Sequence, residues 1–165
     1  MIIHEEQVGD IDGVREVEML AFERAAEADL VDALRAHGKV TLSLVAEDGG
    51  QIVGHVMFTP GRIGKIPVEA MAPVAVRPER QGVGIGSAII RAGLANLRQA
   101  GQRIVIVEGN PKYYTRFGFQ DATPLGITCE FNPPPGCFMV QELAEGALQG
   151  VHGMAYFAEE FQSVG

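Results

Sequence analysis

The stretch RPERQGVGIGSAIIRAGL, residues 77–94, decides the fold. Two arginines, Arg77 and Arg80, and the amide of Gln81 precede glycines at alternate positions, Gly82, Gly84 and Gly86. From Ile85 onward the apolar residues keep helical spacing, with Ile90, Leu94 and Leu97 on one face and Gly101 as a terminator. The first turn of a helix leaves backbone N–H groups unpaired and carries partial positive charge. An anion satisfies both. Glycine lets it come close, because no Cβ stands in the way. With basic residues ahead of it, the stretch reads as a pyrophosphate cradle between a strand and a helix. A tight strand-to-helix turn that holds no ligand has the same glycine pattern, and both readings stay open at this point.

Two common cradles are excluded. A P-loop needs a lysine followed by serine or threonine after its last glycine, and no lysine follows here. The dinucleotide fingerprint needs glycine at position 87 or 89, where Ser87 and Ile89 stand. It also belongs after the first strand of a parallel unit, whereas several strand-like segments come before Gly82.

Upstream, Ile2–Gln7 reads as a short strand and Asp10 as the cap of a helix carrying Val14 and Val17. A second helix is expected over Ala28–Ala36, stopped by Gly38. Thr41–Glu47 and Gln51–Thr59 read as strands joined by an Asp48-Gly49 hairpin turn, and Val68–Val76 as a third strand. Downstream, Arg103–Val107 is a short buried strand and Pro111–Arg116 one or two helical turns. Thr128–Phe131 and Phe138–Leu143 look like strands around the loop NPPPG. The tail from Gly146 carries no clear pattern. The order is mixed α/β, with antiparallel hairpins first and one parallel crossover over residues 68–108. With no repeat or linker, one domain over residues 1–165 is expected.

Composition narrows the function. The formal net charge of −8 argues against nucleic-acid binding, which needs a basic face. Acids crowd the first 32 residues, either for solubility or as a negative rim for a cationic partner. No apolar run spans a membrane, and the N-terminus does not look like a signal peptide. Cys129 and Cys137 are expected to stay reduced, as in a cytoplasmic protein. Four scattered histidines predict no metal site.

Gln81-Gly82-Val83-Gly84-Ile85-Gly86 resembles the Q/R-x-x-G-x-G/A motif of the GNAT acetyltransferases. Tyr114-Thr115-Arg116-Phe117-Gly118-Phe119 resembles their later Y-x-x-x-G-F signature, and GNPKYYTRFGF is similar to a YhbS-like group among them. The resemblance implies the GNAT fold: a central mixed sheet with splayed parallel central strands, flanked by helices. It implies acetyl-CoA as co-substrate and direct transfer of acetyl to a primary amine on a small molecule or protein. Val74, Ala75 and Val76 would pair with the pantetheine arm. Arg80, Gln81, Gly82, Val83, Gly84, Ile85, Gly86 and Ser87 would hold the phosphates. Pro73, which cannot donate to a ladder, suits an edge or a parting of strands. Tyr114 would protonate the leaving thiolate, with Tyr113 and Asn110 as coenzyme contacts. The Val74 amide would receive the oxyanion. Glu108, with Glu69 behind it, is the candidate base. His55, in an apolar strand, is expected to be packed, as are Phe117 and Phe119. Many family members have asparagine seven residues before the tyrosine; here Val107 stands there, so this loop departs from the pattern. Family habit implies a homodimer. Two other functions share these features: a non-catalytic acyl-CoA sensor, and a transferase using another acyl-CoA.

Overall fold

A pair of glycines turns the chain between its first two long strands. The computed structural model describes residues 1–164. In chain order the elements are β1 (Ile2–Glu5), α1 (Ile11–Phe22), α2 (Ala26–Ala36), β2 (Leu42–Asp48), β3 (Gln51–Ile63), β4 (Ile66–Val76) and α3 (Ile85–Gln99). There follow β5 (Ile104–Glu108), α4 (Pro111–Tyr114), β6 (Gln120–Asp121), β7 (Ile127–Cys129), β8 (Phe138–Glu142) and β9 (Gly153–Tyr156). The strands form an open mixed sheet, antiparallel and parallel. Contacts divide the chain into two compact units. One holds Met1–Thr59, Ala72–Gly93 and the residues from Glu159; the other holds Pro60–Met71 and Leu94–Ala158.

In the first unit β1, β2 and β3 are antiparallel neighbours, and β4 follows β3. Asp48 pairs with Gln51 across the hairpin, so the turn residues are Gly49 (φ 60°) and Gly50 (φ 79°) and not the expected Asp48-Gly49. Two residues without Cβ take positive φ at less cost than aspartate, and the turn settles there. Asp10 stands before α1 as expected, but its carboxylate accepts from Gln7 N (2.8 Å) instead of capping α1. Gly13 brings α1 close to the sheet: a Cβ there would lie 2.7 Å from Ile52 Cγ1. Val14, Val17, Leu34, Val45 and Phe58 are fully enclosed.

Among these apolar residues lies a polar trio. His55 Nδ1 meets Glu18 Oε2 at 2.7 Å, and His55 Nε2 meets Ser43 Oγ at 2.9 Å. Both His55 and Glu18 have no exposed side-chain surface. Burial pushes the Glu18 carboxyl up, while the His55 bond and charge pull it back. The order serine–histidine–acid resembles a nucleophilic relay, but no substrate reaches a trio closed to solvent. It is the packed histidine expected from the sequence.

A 3-10 turn, Glu159–Ser163, lies against α2 in the same unit. Glu160 takes Lys39 Nζ at 2.9 Å and His37 Nδ1 at 2.6 Å. Desolvation pushes its carboxyl up, but these bonds outweigh it and hold the pKa down at about 2.

In the second unit β5 pairs with β8 along its whole length, from Ile104 opposite Glu142 to Glu108 opposite Phe138. β6 extends this face, while β9 joins the end of β3 to β7. The sequence pattern missed β6 and β9, which are short and lack alternation. Ile106, Phe119, Ile127, Met139, Val140 and Ala155 form the core. The parallel β4–β5 ladder has only two registered pairs, Glu69–Val105 and Ala70–Ile106. Of the two placements expected for Pro73, an edge or a parting of strands, the second is the one found: β4 lies between β3 and β5 in the strand order, and its ladder with β5 stops before Pro73.

Two outcomes test this packing. His55→Ala strands the Glu18 carboxyl in the core and costs about 3–5 kcal/mol by urea unfolding, the range for breaking a buried pair; a loss below about 1 kcal/mol contradicts it. For Glu160 the pKa is depressed, so its stabilisation is complete above the ordinary value near 4.5 and fades as pH falls toward about 2. Glu160→Gln therefore flattens the melting-temperature profile across that acid window, and identical profiles contradict the clamp.

Candidate active site

The glycine turn is held from both sides. Gln81 Nε2 donates to Val76 O (3.0 Å), clipping the turn to the end of β4. Arg77 N donates to Val53 O at 2.9 Å. The Arg77 side chain was expected to add charge for phosphates, but it is 6% exposed and turned inward. Its Nε donates to Ile52 O at 3.0 Å and its Nη2 to Glu16 at 2.6 Å. Two nearby acceptors and the apolar surround make the interior the better place for this guanidinium. Arg80 is half-buried and pairs with Asp48, whose carboxyl it holds below the usual range.

The backbone then passes through Gly82 (φ 77°) and Gly84 (φ 91°), conformations that L side chains rarely adopt. A Cβ at either glycine would meet nothing within 4 Å, so the turn borders open space. Val83 stands 69% exposed between them. The first bond of α3 runs from Ala88 N to Gly84 O (3.0 Å). The amides of Ile85, Gly86 and Ser87 therefore lie in the first helical turn, ahead of any acceptor on the helix. Ala75 is buried, and Val74 and Val76 are half-buried beside the Gln81 clip.

The second unit supplies the other predicted residues. Glu108 is exposed at the end of β5, and partial desolvation moves its carboxyl upward from the ordinary carboxylate value. Glu69 is 4% exposed, within β4. Gly109 N donates to Cys137 O at 2.9 Å. Asn110 caps α4, accepting from Lys112 N at 3.0 Å, with Pro111 in the first helical position. The amides of Tyr113 and Tyr114 reach Asn110 O at 3.0 and 3.1 Å.

Tyr114 is wedged among rings. It meets Tyr113 edge-on at 5.0 Å between centroids and Phe119 edge-on at 6.1 Å. Desolvation, then the neighbouring Tyr113, pushes its phenol up to about 12. Tyr113 instead lies under the Arg116 guanidinium at 4.5 Å. Phe117 and Phe119 are buried as expected. Gly118 (φ 96°) ends the turn, and a Cβ there would collide with the Gln141 amide, which donates to Phe117 O. The left-handed backbone is what calls for glycine at this position, since an L side chain there is strained whatever the neighbours do. Sequence reasoning missed Gly109; its only local signal was a glycine directly before a capping asparagine.

Three arginines engage four of the ten acids in the first 32 residues. Arg15 pairs with Asp29 and Asp32, Arg35 with Glu6 and Asp32, and Arg24 with Glu27. Among the described residues His4, Asp10 and Glu47 bring three possible metal ligands within 4.8 Å of one another. Two of the three are engaged with local backbone: His4 Nδ1 meets Glu5 O, and Asp10 accepts from Gln7 N. No helix is long and apolar enough to cross a membrane, among the described residues.

A glycine turn before an open helix start, a truncated parallel ladder and a tyrosine four residues before a left-handed glycine together define a class of protein, and comparison with known families agrees. The profile of the acetyltransferase (GNAT) domain matches residues 3–122. The chain belongs to the GNAT family and is an acetyltransferase.

Among its relatives is the N-acetyltransferase YhbS of Escherichia coli K12, 36% identical over 98% of both chains. The crystal structure of Escherichia coli YhbS in complex with CoA superposes with a TM-score of 0.95 at 35% identity, covering 99% of this chain and 93% of that one. A GNAT acetyltransferase from Brucella melitensis in complex with acetyl-CoA gives 0.82 at 35% identity, over 97% of both chains.

Proposed function

We propose that this chain transfers the acetyl group of acetyl-CoA directly to a primary amine of a small-molecule or protein acceptor, both units serving as one GNAT domain. The observation that carries the proposal is the open first turn of α3 behind Gly82 and Gly84, in a chain whose relatives bind CoA and acetyl-CoA. The diphosphate would lie on the amides from Gly82 to Ser87, with Arg80 and Gln81 at its side. The pantetheine amides would pair with Val74, Ala75 and Val76, where β4 has run past its short ladder. Asn110 and Tyr113 would touch the coenzyme from α4.

The chemistry follows from the groups present. Glu108, its carboxyl raised, takes a proton from the acceptor ammonium, directly or through water. The neutral amine attacks the thioester carbon, and the Val74 amide receives the oxyanion. Collapse expels the coenzyme thiolate, and the second nitrogen proton passes to the sulfur or to water, leaving the amide and the free thiol. A phenol near 12 keeps its proton at any physiological pH. Tyr114 therefore stabilises sulfur chiefly by hydrogen-bond donation as charge develops. Further proposals are cytoplasmic location and a homodimer, by family habit.

A panel of amines assayed for free-thiol release tests the whole proposal. Turnover on at least one primary amine is expected. Tight acetyl-CoA binding with no turnover on any amine favours a sensor. Acetyl-CoA should raise the melting temperature, and Gly84→Glu, which fills the turn with a strained anionic side chain, should abolish the rise. Tyr114→Phe should keep that rise but lower kcat about 100-fold. The parent's kcat should show no loss from phenol ionisation below about pH 11, since the group stays protonated there. Full activity in the phenylalanine variant removes Tyr114 from the mechanism.

A further inference from the structure

The ring of Tyr114 rests on bare backbone. A Cβ built on Gly109 would overlap Tyr114 Cε2 and lie 3.0 Å from Cδ2 and 3.5 Å from Cζ, the carbon that bears the hydroxyl. The peptide at Gly109 cannot easily retreat, because its N–H is bonded to Cys137 O on the strand side. Nor can the ring swing freely: Phe119 and Tyr113 bound it edge-on. Its own amide is tied to Asn110 O. Gly109 is not among the residues with positive φ, so its backbone conformation does not require glycine. The vacancy where its side chain would be is the feature that matters.

We propose that Gly109 is a positioning residue, whose missing side chain is the seat that fixes the Tyr114 hydroxyl for donation to the coenzyme sulfur. This rests on the reading of Tyr114 as the hydrogen-bond donor to the coenzyme sulfur. A methyl group at 109 displaces the ring at its hydroxyl end, where a shift of about 1 Å can cost about 100-fold in rate. The turn that would hold the phosphates lies on other residues and is left as it was.

Gly109→Ala in the full chain tests the inference, with acetyl-CoA and either an amine that turns over or water as acceptor. The melting-temperature rise with acetyl-CoA should be unchanged and its KM within about twofold of the parent, while kcat falls about 100-fold. Adding Tyr114→Phe to Gly109→Ala should bring no further loss, because both act on one hydroxyl. Full kcat in Gly109→Ala beside an impaired Tyr114→Phe overturns the seat and leaves Tyr114 standing as the hydrogen-bond donor. Full kcat in Tyr114→Phe instead overturns the donor and the catalytic meaning of the seat with it. A stability cycle decides the contact even if the alanine variant does not fold alone. Gly109→Ala should lower the melting temperature of the parent but not of Tyr114→Ala, which lacks the ring. An equal loss in both backgrounds overturns the seat.

Discussion

Backbone groups left without partners are the constraint on which this structure turns. A buried N–H or C=O with no partner costs about 1–3 kcal/mol, so folded chains pair almost all of them. Here the parallel ladder between β4 and β5 ends after two pairs, and β4 continues to Val76. The first turn of α3 opens immediately beyond, after glycines that border open space. Such groups persist where water or a ligand can satisfy them. The surrounding bonds keep them in place: Gln81 to Val76 O, and Arg77 to Val53 O, Ile52 O and Glu16. The chain spends ordinary side-chain chemistry on holding backbone ready.

That division of labour changes how the charged residues are understood. Arg77 is a beam in the fold and Arg80 is already partnered by Asp48, so in the proposed cradle the attraction for an anion would come mainly from amides and the helix start. Five of the ten acids in the first 32 residues are likewise engaged with Arg15, Arg24, Arg35 or His55.

Tyr114 shows the same economy in reverse. Aromatic neighbours fix the ring and desolvate the phenol, which raises its pKa to about 12. The ring lies over the bare backbone at Gly109, so for the donor role proposed above placement is what counts.

The sequence by itself determined the mixed α/β class, the glycine turn before α3, the tyrosine–glycine spacing and the inward histidine. Each is a local matter: a period, a cap, or a residue type without Cβ at a set interval. Only the tertiary structure decided that Arg77 faces inward, that the hairpin turns on Gly49-Gly50, that β6 and β9 exist, and that Gly109 lies under Tyr114. Those outcomes depend on which distant groups meet. A guanidinium goes where acceptors and apolar cover coincide, a two-residue strand forms only against an edge already built, and a missing side chain acquires meaning only from the ring that fills its place.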